Sequence, residues 1–411
     1  MTDALIIDAC RTPRGIGKQG KGALADMHPQ HLGAAVLKAL AERNQIDTAD
    51  VDDILWGTST QKGTQGNDLG RMSALDAGYD QRSSGITMDR FCGSGISVVN
   101  LAAASIMAGM EDLVIAGGCE MMSMTATLRG DGPGFMDAGN LRLRAKHPQS
   151  HQGVCADAIA TLEGISRADL DALALESQQR AAVAIAEGRF DKSLIKVYKA
   201  DGTLALEREE FPRPQTTAEG LAALNPAFTK LADVALDEQG TTFRKLILAK
   251  YPDLDIRHVH HAGNSSGVVD GSGALLLASP SYAKKHGLKA RARVVAYANV
   301  GDSPTLMLNA PVPAARKVLA KAGLTVDDID LWEINEAFAV VAEKFIRDLK
   351  LDRAKVNVNG GAMALGHPIG ATGAILIGTM LDELERRDLK RGLVTMCAVG
   401  GMAPAIIIER I

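Results

Sequence analysis

The feature that most constrains this chain is that its two ends repeat one another. Residues 35–56, AVLKALAERNQIDTADVDDILW, resemble residues 314–332, AARKVLAKAGLTVDDIDLW. Each reads as an amphipathic helix, a short Asp-rich turn and a strand ending in Trp. Cys92 follows Trp56 by 36 residues in FCGSGISVVNLAAASIMAG, and His367 follows Trp332 by 35 in GGAMALGHPIGATGAILIG. Each sits in a glycine-rich turn that opens an apolar helix. Strands are expected after both helices, at 113–116 and 393–396, and again where each unit closes, at 274–277 (ALLL) and 405–408 (AIII). A run as apolar as VVAYANV at 294–300 marks a strand covered on both faces. The chain therefore reads as a duplicated α/β unit whose two related layers pack together.

The repeat also exposes what is not repeated. Residues 120–255 are more charged, carry Pro212, Pro214, Pro226 and Pro252, and have no counterpart in the second half. They read as an inserted domain, with a helix expected over 167–187. The division expected is 1–119 with 256–280, the insertion 120–255, and 281–411.

A 46% hydrophobic, 23% charged composition with 45 basic against 49 acidic side chains is that of a soluble globular chain, and it offers no basic excess for nucleic acid or anionic membrane. The uncharged stretches 91–110 and 356–381 are rich in Gly, Ser, Asn and Thr, which fits buried helices better than membrane spans. The apolar run 4–7 is too short for a signal-peptide core, so the expected location is cytoplasmic. Five cysteines without a CxxC spacing argue against a disulfide framework or zinc ribbon. His258, His260 and His261 lack a nearby Cys partner, and strand alternation puts His261 on the opposite face, so no metal site is expected. GIGKQG at 15–20 lacks the Ser or Thr and the glycine spacing of a phosphate loop, and reads as a turn.

Cys92 precedes an uncharged helix, whose positive end favours a thiolate, so it is a candidate nucleophile. His367 occupies the matching turn of the second unit. If the units are related by a pseudo-twofold axis, the two helix starts meet and the imidazole can take the thiol proton. Cys397 begins CAVGGMA at the end of a strand and is a candidate second acid/base. Asn335 lies at the carboxyl end of the Trp332 strand, where open α/β sheets place ligand contacts. Its amide either orients a water or caps the helix expected from Ala337.

Together, DRFCGSGIS, HHAGNSSGVVDG, NEAFA, GGAMALGHPIGATG and CAVGGMA, with ACRTPRG at 9–15, resemble the thiolase family in order and spacing over nearly the whole chain. The resemblance implies an α/β fold: a duplicated thiolase-type core of two five-stranded mixed sheets with helices in layers, plus a loop domain that covers CoA, commonly as a homodimer or homotetramer. It implies acyl transfer between a 3-ketoacyl-CoA and CoA, with CoA as co-substrate and no permanently bound cofactor. By that resemblance Cys92 takes the acyl group, His367 deprotonates it and helps bind the thioester oxygen, Cys397 is the second acid/base, and Asn335 holds a water completing that oxyanion site. The backbone N–H groups of Cys92 and Val399 form a second oxyanion site. Ser266 matches a pantetheine contact, and Phe228, Met307 and Phe338 match the acyl pocket.

Departures lie near substrate. His151-Gln152-Gly153 replaces the family's HMG, putting Gln152 at the acyl end. Asn225 stands where an arginine can approach the CoA nucleotide, and about 25 extra residues separate Phe228 from AGNSSG. HVHHAGNSSG and this extension resemble bacterial degradative thiolases, which favours a catabolic role with a longer or bulkier acyl chain. The alternatives are an acetoacetyl-CoA-forming biosynthetic thiolase, a decarboxylating ketosynthase, against which Asn335-Glu336 and Cys397 argue, and a non-catalytic thiolase-like CoA-binding subunit.

Overall fold

A computed structural model describes residues 2–128 and 134–411; part of the insertion, 129–133, lies outside the described residues. The strands of the first unit are β1 (Leu5–Arg11), β2 (Asp53–Gly57), β3 (Ile86–Met88), β4 (Leu113–Met121) and β5 (Val269–Ala278). Those of the second are β6 (Ala292–Gly301), β7 (Leu331–Ile334), β8 (Arg391–Thr395) and β9 (Met402–Arg410). The helices that matter below are α1 (Pro29–Asn44), α2 (Ser94–Met107), α3 (Gln152–Leu162), α4 (Arg167–Ala186), α5 (Phe243–Leu248), α6 (Pro311–Ala322), α7 (Ala339–Leu349) and α8 (Ile369–Arg386).

The topology repeats as the sequence does. In the first unit β2 runs parallel to β4, β4 antiparallel to β5 and β5 antiparallel to β1. In the second, β7 runs parallel to β8, β8 antiparallel to β9 and β9 antiparallel to β6. The two half-sheets join edge to edge through two residue pairs, Leu5 with Arg293 and Ile6 with Ala292, giving one continuous ten-stranded sheet that includes the short strand Gly15–Ile16. At the outer edge of the first unit β3 pairs with β2; in the second, the equivalent place holds only a parallel bridge between Trp332 and Val356. There Asn357 substitutes its side chain for a strand: Oδ1 accepts from Ile334 N and Nδ2 donates to Ile334 O, each at 2.9 Å. An amide group has the same donor and acceptor as a peptide, so the edge of β7 is satisfied.

The period-2 pattern explains the layering. Leu55, Leu275, Leu277, Val394, Ile406 and Ile408 face a central layer made by α2 and α8. Their strand neighbours Trp56 and Leu276 face α1 on one outside, while Trp332 and Ile407 face α6 and α7 on the other. Burying each such Leu or Ile stabilises the fold by about 1.5–3 kcal/mol. Trp56 and Trp332, the repeat's anchors, are both fully buried on the outer faces.

The insertion leaves the first unit between β4 and β5 and packs on both units: Val197 lies in the outer core of the first, while its helices α3 and α4 lie on the second. Val154 of α3 and Leu170 and Ala174 of α4 share one core with Trp332, Val340 and Phe345. The expected long helix is present as α4, started by a capping box in which Ser166 and Asp169 exchange hydrogen bonds. Among the described residues no helix is long and apolar enough to cross a membrane.

Candidate active site

The turn before α2 is tightly specified. Phe91 has φ of 49°, a left-handed conformation that costs a non-glycine residue energy, immediately before Cys92. The turn is held by Ser94, whose hydroxyl accepts from Arg90 N at 2.8 Å and donates to Phe91 O at 2.7 Å, and by Phe91 N donating to Asp89 Oδ1 at 2.6 Å. Cys92 thus sits, 8% exposed, one residue before the cap of an apolar helix.

The turn before α8 is brought to the same place by glycine. A Cβ on Gly95 would lie 2.6 Å from Gly373 N, and one on Gly373 would run into Ile96 N, so the first turns of α2 and α8 touch backbone to backbone. A Cβ on Gly57, at the end of β2, would meet both Gly370 O at 2.7 Å and the Ser94 side chain at 3.0 Å. The buried Glu120 completes the join by accepting from Gly370 N at 2.9 Å and Ser59 N at 2.8 Å.

His367 is 4% exposed, and its Nδ1 lies 2.6 Å from Thr372 Oγ1, which also donates to Pro368 O at 3.0 Å. A hydroxyl has one proton and a carbonyl none, so the Thr372 proton is committed to Pro368 and Nδ1–H must donate to Thr372. The lone pair is then on Nε2, which is buried and has no partner in the protein. Burial lowers the imidazole pKa to about 3, with the positive charge of Arg14 adding to the effect. The ring is thus neutral with an unspent Nε2 lone pair, and it can accept a thiol proton only as the thiolate formed beside it offsets the desolvation that depresses its pKa.

Cys397 follows β8 and is 1% exposed. Burial pushes its thiol pKa well up, and a charge on the neighbouring Cys92 pushes it further, so it stays protonated and suits an acid. The turn after it is closed by Ala398 and Met402, which exchange backbone hydrogen bonds, with Gly400 and Gly401 at φ of 85° and 76° and Val399 half-buried at its tip. This turn abuts the Cys92 turn: a Cβ on Gly93 would meet Pro404 Cδ at 2.9 Å and Ala398 Cβ at 3.4 Å. Asn335 follows β7, is 1% exposed, and both polar atoms of its side chain lack a partner in the protein. Of the two readings of Asn335, helix capping does not hold, because α7 begins at Ala339 with Phe338 at its cap. A buried amide with both atoms unspent is instead available to a ligand.

Phe228 and Phe338 meet edge to face with centroids 5.9 Å apart, and Met307, at φ of 66°, is buried in the same core. Ser266 is half-buried, its N–H donating to Ala337 O at 3.0 Å. Gln152 is exposed at the start of α3, and the ring that packs on Phe228 belongs to the preceding His151. A cavity of about 400 Å³ lies elsewhere, between the helix Leu141–Lys146 and residues 239–250, and none of these site residues lines it.

Reading the motifs alone does not single out Thr372, Glu120 or Asn357, and it names Glu336 beside Asn335 without a buried role for it. Thr372 lies in the first turn of α8, five residues after His367, which precedes the helix, so no helical spacing links the two in the sequence. Glu336 is fully buried, accepting from Ser177 Oγ at 2.7 Å and Asn357 Nδ2 at 2.9 Å, and nothing local in the sequence announces those distant donors. Among the described residues no group of three or more His, Cys, Asp or Glu side chains is arranged to hold a metal ion.

Two family models match the chain: "Thiolase, N-terminal domain" over residues 4–235 and "Thiolase, C-terminal domain" over 288–410. The chain is 39% identical to the steroid 3-ketoacyl-CoA thiolase FadA6 of Mycobacterium tuberculosis, covering 100% of this chain and 95% of that one. It is also 39% identical to a beta-ketoadipyl-CoA thiolase of Acinetobacter baylyi, over 100% of both. Among solved structures, the acetyl-CoA acetyltransferase of Bacillus anthracis superposes with a TM-score of 0.82 at 32% identity, over 100% of this chain and 99% of that one.

Proposed function

This chain belongs to the thiolase family and is an acyltransferase, and we propose that it cleaves a 3-ketoacyl-CoA with CoA, releasing acetyl-CoA and a shortened acyl-CoA through an acyl group carried on Cys92. The observation that carries this reading is the lone pair on His367 Nε2 at the meeting point of the α2 and α8 turns.

His367 Nε2 takes the Cys92 proton, and the thiolate attacks the 3-keto carbon. The bond between C2 and C3 then breaks, its electron pair leaves on C2 as the acetyl-CoA enolate, and Cys397 delivers a proton to that carbon. The Asn335 amide, through a water, and protonated His367 face the enolate oxygen, while the N–H groups of Cys92 and Val399 face the oxygen of the acyl-enzyme. In the second half, the Cys397 thiolate takes the proton of incoming CoA, whose sulfur attacks the acyl carbonyl, and Cys92 leaves with its proton returned by His367.

The substrate end is formed by Phe228, Met307 and Phe338 with Gln152 at the rim, and Ser266 meets the pantetheine. Residues 120–255 serve as the CoA cover, inserted between 1–119 with 256–280 on one side and 281–411 on the other. The direction is degradative, on an acyl chain longer or bulkier than acetyl, in the cytoplasm and as a homo-oligomer. Supporting the bulkier chain are the extra residues between Phe228 and the AGNSSG motif and the relative named for a steroid substrate. The structural neighbour named for acetyl transfer favours the second reading, acetoacetyl-CoA formation.

Peptide mass spectrometry after incubation with short, long and cyclic 3-ketoacyl-CoAs, without free CoA, tests this. An acyl adduct on Cys92, fastest with a long or cyclic chain, is expected. Labelling fastest with acetoacetyl-CoA moves the assignment to the biosynthetic reading, and CoA binding without any adduct to the non-catalytic one.

A further inference from the structure

Residues 258–266, HVHHAGNSS, are clamped by two carboxylates from the insertion. Asp157 of α3 receives His258 Nδ1 at 2.7 Å on one oxygen, and Val259 N, His260 N and His260 Nδ1 at 3.1, 3.0 and 2.8 Å on the other. Asp171 of α4 receives His261 Nε2 at 2.8 Å and Asn264 Nδ2 at 2.9 Å. The far end of the segment lies along the Asn335 turn. Ser265 bridges Phe338, Ser266 N donates to Ala337 O at 3.0 Å, and Ala337 N donates to Asn335 O at 2.9 Å. The fully buried His260 ring stands edge-on to Phe338, 5.7 Å between centroids.

Proton positions along this line are determined by what each group can donate. Arg244 of α5, held by the Asp233 carboxylate at 2.7 and 3.0 Å, donates from Nη2 to His258 Nε2 at 3.0 Å. A guanidinium has no lone pair to offer, so His258 Nε2 accepts and His258 Nδ1–H donates to Asp157. Burial alone would raise the pKa of Asp157, but the bonds from His258 and His260 outweigh it and hold the carboxylate charged. A continuous hydrogen-bonded line thus runs from Arg244 through His258 and Asp157 to His260, whose ring in turn packs edge-on against Phe338.

We infer that Asp157 is a positioning residue for the reaction: through His260 and the segment 258–266 it holds the Asn335–Phe338 turn in register, and Arg244 couples the extension 229–255 to that turn. The inference rests on the roles proposed for Cys92 and Asn335, and it assigns the extension a task in catalysis besides covering substrate.

The test measures kcat and KM for cleavage of a 3-ketoacyl-CoA alongside acylation of Cys92 by a simple acyl thioester, which needs no enolate stabilisation. His260→Phe keeps the ring against Phe338 and deletes the donor to Asp157; His260→Asn keeps a donor near Nδ1. His260→Phe and Asp157→Asn are expected to lower kcat by roughly tenfold, as a displaced orienting group does. KM and Cys92 acylation should stay within about twofold. His260→Asn should recover most of the loss, and Arg244→Met, at a partly exposed side chain that leaves the core intact, should lower kcat by about threefold. Unchanged kcat in both His260→Phe and Arg244→Met, with only the melting temperature lowered, would make the segment a purely structural brace and overturn the inference. A wild-type protein that never acylates Cys92 would instead sink the proposed function.

Discussion

The two halves of the molecule share one topology and differ in what fills the space after the second parallel strand. In the second half β8 returns directly through the Cys397 turn to β9. In the first, β4 and β5 are separated by the whole insertion, whose helices α3 and α4 fold over onto the other half. The symmetric parts, α2 and α8, touch through Gly95 and Gly373, close along the chain to Cys92 and His367. The asymmetric parts differ: Asn335 and Cys397 come from strand ends of the second half alone, and the packed rings of His151 and Phe228 come from the insertion. Duplication thus supplies a pair of helix starts, and chemistry comes from making the two sides unlike.

The harshest way to test that difference is to remove the nucleophile. Cys92→Ala should reduce cleavage by roughly 10⁴-fold or more, as followed by loss of 3-ketoacyl-CoA absorbance; retention of even a tenth of the activity would show that the first-half turn is not the reacting one. Cys397→Ala should cut carbon–carbon cleavage by roughly 10³-fold yet leave acylation of Cys92 by a simple thioester within tenfold. Equal loss of both steps would mean the second-half thiol is not a separate acid.

The symmetric contact can be broken too. Gly373→Ala forces a methyl group into Ile96 N, and with no side-chain end free to yield it should cost about 3 kcal/mol in urea unfolding. A cost below about 1 kcal/mol would mean the α2 and α8 turns do not touch. The smallest effect expected is electrostatic. His367 has its folded pKa depressed to about 3, so on acidification the unfolded chain binds a proton that the folded chain refuses. Stability is intact above the unfolded pKa and is lost as pH falls from about 6.5 towards 3. His367→Asn should therefore recover about 2 kcal/mol at pH 4.5 relative to its own effect at pH 7, and an unchanged pH slope would show that the imidazole is not buried neutral.

Much of this was legible because it is local. ALLL and AIII alternate between inner and outer faces as period-2 strands must, and the glycines beside Cys92 and His367 mark turns before apolar helices. The helix of the insertion was visible over 167–187 and is found at Arg167–Ala186. The capping alternative for Asn335 failed because helix starts drift: α7 begins two residues later than Ala337 and leaves the amide unspent. The three adjacent histidines divide as strand alternation suggested, His258 and His260 to Asp157 and His261 to Asp171, although residues 258–261 form no strand. Their partners lie about a hundred residues away on α3 and α4, beyond the reach of any local pattern.

By itself the sequence determined the duplication, the order of strands and helices, and the residue types at the reacting turns, since these depend on periodicity, turn chemistry and motif spacing along the chain. Only the tertiary structure decided that the half-sheets fuse through Leu5 and Ile6, that Asn357 stands in for a missing strand, that Thr372 leaves the His367 lone pair on Nε2, and that helices α3 and α4 of the insertion pack on the half it does not interrupt. Each of these depends on which distant groups meet when backbone and side-chain donors must all be satisfied inside a dry core, a condition met by the fold as a whole.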